Sequence, residues 1–356
     1  MKVHNFNAGP AILPESVLKQ AAAAAIEFNG IGMSILEISH RSKDFQAVMD
    51  EAVALVKEIA GLTDDYKVLF LQGGASTQFG MIPMNLLDTN ETAGYSNTGT
   101  WAKKAQKEAK LFGNVAELAS SEAAGYTFIP KGYDIPADLK YFHITSNNTI
   151  YGTQYHGYPS SAVPLVVDMS SDMFSRTLDY NQFDLIYAGA QKNIGPAGVT
   201  LVILKESLLG KVNRPMPTMM DYRTHIKEGS MFNTPPVFAI YVTMLTLRWI
   251  KEMGLANIEA RNKAKAELLY GAIDSNPLFK GTVAADDRSW MNVNFIMENR
   301  EWEPEFLQFA KEHKCIGLAG HRSVGGMRAS IYNALPIESV QYLVGLMEEF
   351  KTMKGI

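Results

Sequence analysis

Two residues near the ends of apolar runs carry the chemistry this chain advertises: an amine, Lys192, and a carboxylate, Asp168. Lys192 follows Leu185 to Ala188 and a stretch of small residues, Gly189-Ala-Gln-Lys192-Asn-Ile-Gly-Pro-Ala-Gly198. Asp168 closes Pro164-Leu-Val-Val-Asp168. Each run reads as a buried strand, and the 24 residues between them (192 − 168) leave room for one connection within a single sheet. A strand-end amine can form a Schiff base with a carbonyl compound, and a carboxylate beside it can keep a pyridine nitrogen protonated. That pairing is what pyridoxal phosphate chemistry requires. Taken alone, a strand-end lysine is more often a solvated surface charge, and a strand-end aspartate a turn or helix cap. The rest of the chain has to decide.

Other polar groups fall at comparable places. Gln72-Gly-Gly-Ala-Ser-Thr-Gln78 follows the apolar run Lys67 to Leu71 and opens a helix pattern, so its free amides and the Ser76 and Thr77 hydroxyls could cradle an anion. No Gly-Lys-Ser/Thr follows, so it is not a nucleotide P-loop. Trp101, in Ser96-Asn-Thr-Gly-Thr-Trp101, stands at a helix start, where its face could stack on a planar ring. Thr149 lies in His143-Ile-Thr-Ser-Asn-Asn-Thr-Ile-Tyr-Gly152 and could donate to a cofactor oxygen. His40-Arg41, His321-Arg322 and Arg328 could bind carboxylate or phosphate, arginine offering a two-pronged donor. Each fragment alone has a bland reading as turn, core or surface.

The elements that must position these groups are legible in outline. Helix patterns run from Pro14 to Asn29, stopped by Gly30, and from Asp44 to Ala60, followed by Gly61. Strands are expected at Lys67 to Gln72, Thr92 to Ser96, Lys140 to Thr145, Leu165 to Asp168, Leu185 to Ala188 and Val199 to Leu204, alternating with helices. That alternation implies an α/β fold with a mostly parallel sheet between helices. Beyond Pro235 come two long helix patterns, Val237 to Met253 and Leu255 to Ile273. A strand at Met291 to Met297, a helix at Glu303 to His313, a strand at Arg328 to Ile331 and a helix at Ile337 to Thr352 complete a small α+β domain. The expected division is a large domain over residues 15–258 and a small one over 259–356, with residues 1–14 packing near the site.

Composition narrows the function classes. Hydrophobic residues at 47% and charged residues at 20% are the mix of a soluble globular protein. A net charge of −4 without a basic cluster argues against nucleic acid as a partner. No apolar run is long enough to span a bilayer, and the first residues lack the apolar core of a signal peptide. Cys315 is the single cysteine, so no disulfide within the chain is possible, and a buried structural thiol is its expected state. No metal is expected. The simplest setting is a reduced, cytoplasmic one.

Together these fragments resemble the phosphoserine aminotransferases, a family of the fold-type-I pyridoxal phosphate enzymes. The similarity covers nearly the whole chain. Its motifs are Asn5-Phe-Asn-Ala-Gly-Pro-Ala-Ile-Leu-Pro14, Glu37-Ile-Ser-His-Arg-Ser42, Asn97 to Trp101, Asn148 to Gly152, Ala190-Gln-Lys-Asn193 and Phe232-Asn-Thr-Pro-Pro236. The longest is Gly320-His-Arg-Ser-Val-Gly-Gly-Met-Arg-Ala-Ser-Ile-Tyr-Asn333. The resemblance implies one pyridoxal 5'-phosphate per subunit, in a Schiff base on Lys192, with Asp168 on the pyridine nitrogen and Trp101 on the ring. Ala75, Ser76, Thr149 and Gln191 would contact the cofactor, and Asn233 and Thr234 would reach the cofactor phosphate of the neighbouring subunit of a homodimer. His40, Arg41, His321 and Arg322 would bind the substrate's distal carboxylate or phosphate, and Arg328 its α-carboxylate. The implied reaction is reversible amino transfer between O-phospho-L-serine and 2-oxoglutarate, giving 3-phosphohydroxypyruvate and L-glutamate, in serine biosynthesis. Some members also act on a phosphorylated threonine analogue in vitamin B6 synthesis.

Many members carry an arginine in the glycine-rich turn, where this chain has Ala75-Ser76. His321 and Arg322 are therefore expected to carry more of the substrate phosphate's charge. Two other enzymes of the same fold stay open, a glyoxylate-type aminotransferase and a cysteine desulfurase, for which Cys315 is the only available thiol. A catalytically silent relative serving as a binding or scaffold protein is the third reading.

Overall fold

Apolar runs that end on polar or small residues become neighbouring strands, and that is why their ends meet. The structure, a computed structural model, describes residues 3–356. In chain order its elements begin with β1 (His4–Asn5), α1 (Glu15–Ile26), α2 (Lys43–Ala60), β2 (Tyr66–Leu71), α3 (Gly74–Leu86), β3 (Thr92–Asn97) and α4 (Thr100–Ala109). Next come β4 (Asn114–Ser120), β5 (Phe142–Thr145), β6 (Leu165–Asp168), β7 (Leu185–Gly189), β8 (Thr200–Lys205), α5 (Tyr222–Lys227) and α6 (Val237–Met253). The chain closes with α7 (Leu255–Ser275), β9 (Phe279–Gly281), β10 (Asn292–Met297), α8 (Glu303–Glu312), β11 (Cys315–Ile316), β12 (Met327–Ser330) and α9 (Ile337–Met353).

Seven strands form one sheet in the order β2-β8-β7-β6-β5-β3-β4. β4, β3, β5, β6 and β7 run parallel, while β8 is antiparallel to both β7 and β2. β2 therefore points the same way as β7. The carboxyl ends of β2, β3, β5, β6 and β7, at Leu71, Asn97, Thr145, Asp168 and Gly189, share one edge of the sheet. Register fixes this: Thr145 lies opposite Asp168, and Leu71 and Gly189 both lie opposite Thr200. In open α/β sheets the crevice outside the carboxyl ends is where ligands bind.

The strands are apolar on both faces because both faces are covered. Phe70, Ile186 and Ile203 pack with Phe45 and Val56 of α2 and Leu245 of α6. Their sequence neighbours Leu69, Tyr187 and Val202 pack on the other face with Phe79 and Ile82 of α3 and Ala105 of α4. Full burial of each such side chain contributes roughly 1.5–3 kcal/mol. A further core joins Leu269 and Ile273 of α7, Val293 and Phe295 of β10, and Leu343 and Met347 of α9, over the sheet β12-β10-β9. α7 enters both regions: Ile258 packs with the first cluster and Ala266 with the last.

Some expectations need correction. Strands and helices alternate only as far as α4, and among the described residues no α-helix lies between β4 and α5. The sheet face that crossover helices would cover is taken by α1, α2 and α6, so the chain returns through loops and short 3-10 turns. The first helix ends at Ile26, not Asn29, because Phe28 turns inward and its amide bonds to Met33 O at 2.9 Å. Asn29 and Gly30 then reverse the chain at φ 51° and 77°. β4 is an edge strand of mixed polarity, a pattern without a strong apolar signal.

Candidate active site

Lys192 follows β7 by three residues and Asp168 ends β6, so adjacent parallel strands deliver amine and carboxylate to the same crevice. A cavity of about 150 Å³ opens there. Lys192, Asp168, Trp101, Ala75, Ser76, Thr149 and Gln191 all line it, which brings together the whole cofactor set expected of this chain except Asn233 and Thr234. A cavity of about 390 Å³ lies elsewhere, beside Tyr133, Tyr155 and His156, and contains none of these groups. Chemistry, not size, identifies the site.

The amine is held as well as placed. Lys192 Nζ donates to Thr149 Oγ1 at 2.6 Å. Burial pushes the ammonium's pKa down from 10.5 to about 8; the Asp168 carboxylate opposes that shift and the Arg328 guanidinium reinforces it. Asp168 is 4% exposed, and its Oδ1 accepts the Ser170 amide at 2.9 Å. Burial raises its pKa, while the Ser170 hydrogen bonds and the charge of Lys192 oppose the rise. Among the described residues no hydrogen bond ends on its other oxygen, Oδ2. A second buried carboxylate, Asp172, differs in this respect. It accepts from Ser146 and Gln154 and faces the Arg176 guanidinium at 3.7 Å, so its oxygens are already engaged.

The anion cradle is built by glycine. Gly73 adopts φ 88°, and a Cβ there would sit 1.9 Å from Thr77 Oγ1, so only glycine fits this turn. The turn swings α3 so that Gly74, Ala75 and Ser76 face the cavity. Their amides precede the first hydrogen bond of the helix, from Thr77 N to Gly73 O, and remain available to an anion. Trp101 presents its ring from the first turn of α4, and its Nε1 has no hydrogen-bond partner among the described residues. The Lys104 ammonium stands 4.5 Å from the ring centroid. An amine, an open carboxylate oxygen, free amides and an aromatic face together suit a flat cofactor with a carbonyl, a basic ring nitrogen and a phosphate.

The remaining expected residues sit outside this cavity. Arg328, on β12, reaches its rim, where Nη1 donates to Thr149 O at 3.1 Å. Burial depresses the pKa of His321, and the charges of Arg328, Arg322 and Lys104 add to the shift. His40 and Arg41 lie in the turn before α2 and line no part of the cavity, and His40 Nε2 is buried without a hydrogen-bond partner among the described residues. Asn233 lines a separate cavity of about 310 Å³ with Gly73 and Thr77, and Gln72 Nε2 donates to Thr234 O at 3.1 Å. Both residues therefore border the glycine turn without facing Lys192. Sequence reasoning missed Asn147, Ser170 and Ser171, which also line the site. Their signal was position: Ser170-Ser171 follows Asp168 almost directly, and Asn147 lies in a polar strand end.

A family model described as "Aminotransferase class-V" matches residues 3–343. The chain is 59% identical over 354 residues, 99% of each chain, to a phosphoserine aminotransferase of Flavobacterium johnsoniae. Its fold is similar to a phosphoserine aminotransferase structure from Bacillus circulans subsp. alkalophilus, with a TM-score of 0.97 at 49% identity over 99% of each chain. It is also similar to a structure of pyridoxal-phosphate-bound phosphoserine aminotransferase from Trichomonas vaginalis, with a TM-score of 0.93 at 37% identity over 98% of this chain and all of that one.

Proposed function

The chain belongs to the class-V aminotransferase family, and from that premise we propose that it is a phosphoserine aminotransferase, exchanging amino groups between O-phospho-L-serine and 2-oxoglutarate in serine biosynthesis. Its cofactor is pyridoxal phosphate. The observation that carries the reading is the buried pair of amine and half-engaged carboxylate in one cavity, in a chain 59% identical to a phosphoserine aminotransferase.

The cofactor supplies, when bound, an electron sink for the substrate's α-carbon. The chain's residues do the rest. Lys192 Nζ anchors the cofactor, then accepts the substrate α-proton as a general base and returns a proton as a general acid. The Asp168 carboxylate would hold the ring nitrogen protonated from inside the protein, where a carboxylate acts more strongly than in water. Trp101, which lines the cavity, would offer its face to the ring. The amides of Ala75 and Ser76 hold phosphate, and Thr149 and Gln191 complete the polar lining. Arg328 takes the substrate α-carboxylate with a two-pronged donor. His40, Arg41, His321 and Arg322 take the distal phosphate or carboxylate, the anionic group that both substrates carry beyond the α-carbon.

Asn233 and Thr234 belong to this proposal as residues that complete the site of a second subunit. Their place beside the glycine turn, turned away from Lys192, supports a role across an interface. A cytoplasmic homodimer acting on small soluble substrates is part of the same reading; no helix among the described residues is long and apolar enough to cross a membrane. The desulfurase alternative has little support: Cys315 is buried in the last core, where desolvation pushes its thiol up to about 12.

The test is a coupled assay on purified holoenzyme. Phosphoserine and 2-oxoglutarate are expected to yield glutamate, with the parallel-line kinetics of a ping-pong scheme. Turnover with alanine and glyoxylate but not with phosphoserine would replace this reading with the glyoxylate-type one. A pH dependence follows from Lys192. Only a neutral amine can attack the cofactor's aldehyde, so the rate of pyridoxal phosphate attachment to cofactor-free protein is expected to rise with pH and level off above about 8. Asp168 raises the amine's pKa and Arg328 lowers it. Asp168→Asn should therefore move the midpoint to lower pH and Arg328→Ala to higher pH. Stopped-flow absorbance checks both directions.

A further inference from the structure

Two asparagines in the recognised motifs have no part in the chemistry above. Asn193 follows Lys192 directly, and Asn333 lies five residues beyond Arg328. They meet across the molecule. Asn193 Oδ1 accepts the backbone amide of Asn333 at 3.1 Å, and Asn193 Nδ2 donates to Ser171 O at 3.2 Å. Both residues are buried, 5% and 3% exposed.

The far side of this contact is a stiff frame. Asn333 Nδ2 donates to Phe174 O at 2.9 Å, and its Oδ1 accepts from Asn262 Nδ2 at 2.8 Å. Lys265, 1% exposed, donates to the carbonyl oxygens of Ile331, Tyr332 and Leu335 at 2.8, 2.7 and 3.1 Å. The turn after β12 is thus clamped from α7 by a buried lysine with three backbone acceptors. A displaced end of a rigid frame moves the whole frame, including the strand that carries Arg328. Lys192 and Arg328 also meet from the other side, since each donates to Thr149.

We propose that Asn193 and Asn333 are positioning residues that set the reach from the Lys192 amine to the Arg328 guanidinium, and so the fit of an amino acid held at once by its amine and its α-carboxylate. This inference rests on the amino-transfer reading and on Arg328 as the α-carboxylate donor. A misplacement of about 1 Å between two such anchors can cost on the order of 10²-fold.

The test compares two ligands that differ by one group. O-phospho-L-serine has the α-carboxylate; O-phosphoethanolamine lacks it and shares the amine and the phosphate. Holoenzyme and Asn193→Ala are titrated with each, and the half-saturating concentration is read from the cofactor's absorbance. Asn193→Ala is expected to raise that concentration about tenfold or more for phosphoserine and less than about twofold for phosphoethanolamine. Equal shifts for both ligands mean a merely structural role and overturn the proposal, as does no shift for either. If Asn193→Ala does not fold, Asn333→Ala, which removes the bonds to Phe174 and Asn262, takes its place: a larger shift for phosphoserine supports the proposal, and equal shifts, none, or a larger shift for phosphoethanolamine overturn it. An unaltered holoenzyme that does not respond to phosphoserine overturns the amino-transfer reading and this inference with it. A normal response there, with a failed comparison between ligands, overturns the inference alone.

Discussion

Lys192→Ala is expected to abolish amino transfer, by roughly 10⁴-fold or more, in a protein that still folds. General acid–base catalysis alone contributes about 10²–10⁴, and the substitution also removes the covalent anchor. The side chain faces a cavity rather than a packed core, so its loss removes little packing. Stability argues the same way. The folded-state pKa of Lys192 lies near 8, below the usual 10.5, so the folded chain binds fewer protons between those values. The burden of a buried ammonium is therefore fully present below about pH 8 and fades as the pH rises toward 10.5. At pH 7 the cofactor-free variant should melt no lower than the cofactor-free parent. Two measurements check this: steady-state turnover, and the mass of the chain after borohydride treatment with pyridoxal phosphate, which should show no adduct. A Lys192→Ala protein with near-normal turnover contradicts the assignment outright.

Asp168→Asn is the second large effect. The asparagine keeps the shape and one acceptor oxygen for the Ser170 amide, but it removes the charge proposed to hold the ring nitrogen protonated. Breaking a buried charge pair costs ~3–5 kcal/mol, which corresponds to a fall in kcat of roughly 10²–10⁴. KM should change less, because the proposed role of Asp168 is toward the cofactor and not the substrate. The contrast with Asp172 is informative. Its oxygens are occupied by Ser146, Gln154 and Arg176, so it cannot take over the ring nitrogen in the variant. A near-normal kcat in Asp168→Asn would refute the electron-sink role while leaving that of Lys192 standing.

Both residues were legible in the sequence for a physical reason. A parallel strand buried on two faces is a short, nearly unbroken apolar run, so its end is marked by the first polar or small residue after it. Lys192, Asp168, the Gly73 turn and Thr149 all stand at such ends. The order of the strands was not legible. That β8 slips between β7 and β2, reversed, depends on contacts between residues more than a hundred positions apart, and so does the meeting of Asn193 with Asn333. β4 escaped notice because an edge strand with one wet side carries little apolar signal. The loops between β5, β6, β7 and β8 escaped because the helices of the covered face come from elsewhere in the chain. Arg328 was singled out by its motif, but its approach to Thr149 needed the fold. His40 and Arg41 lie outside the cavity of this chain, which suits residues that act at the rim or on a neighbouring subunit.

The central proposal is that one site takes amino groups from amino acids with a distal anion, with the cofactor carrying the amino group and Lys192 moving the proton. The most direct test is a titration of holoenzyme, without any keto acid, by phosphoserine, glutamate, aspartate and alanine in turn. Phosphoserine and glutamate are each expected to bleach the absorbance of the bound cofactor and release one equivalent of keto acid per site, with alanine, which lacks a distal anion, far less effective. Bleaching by alanine but not by phosphoserine, or no bleaching by any of the four, would contradict it.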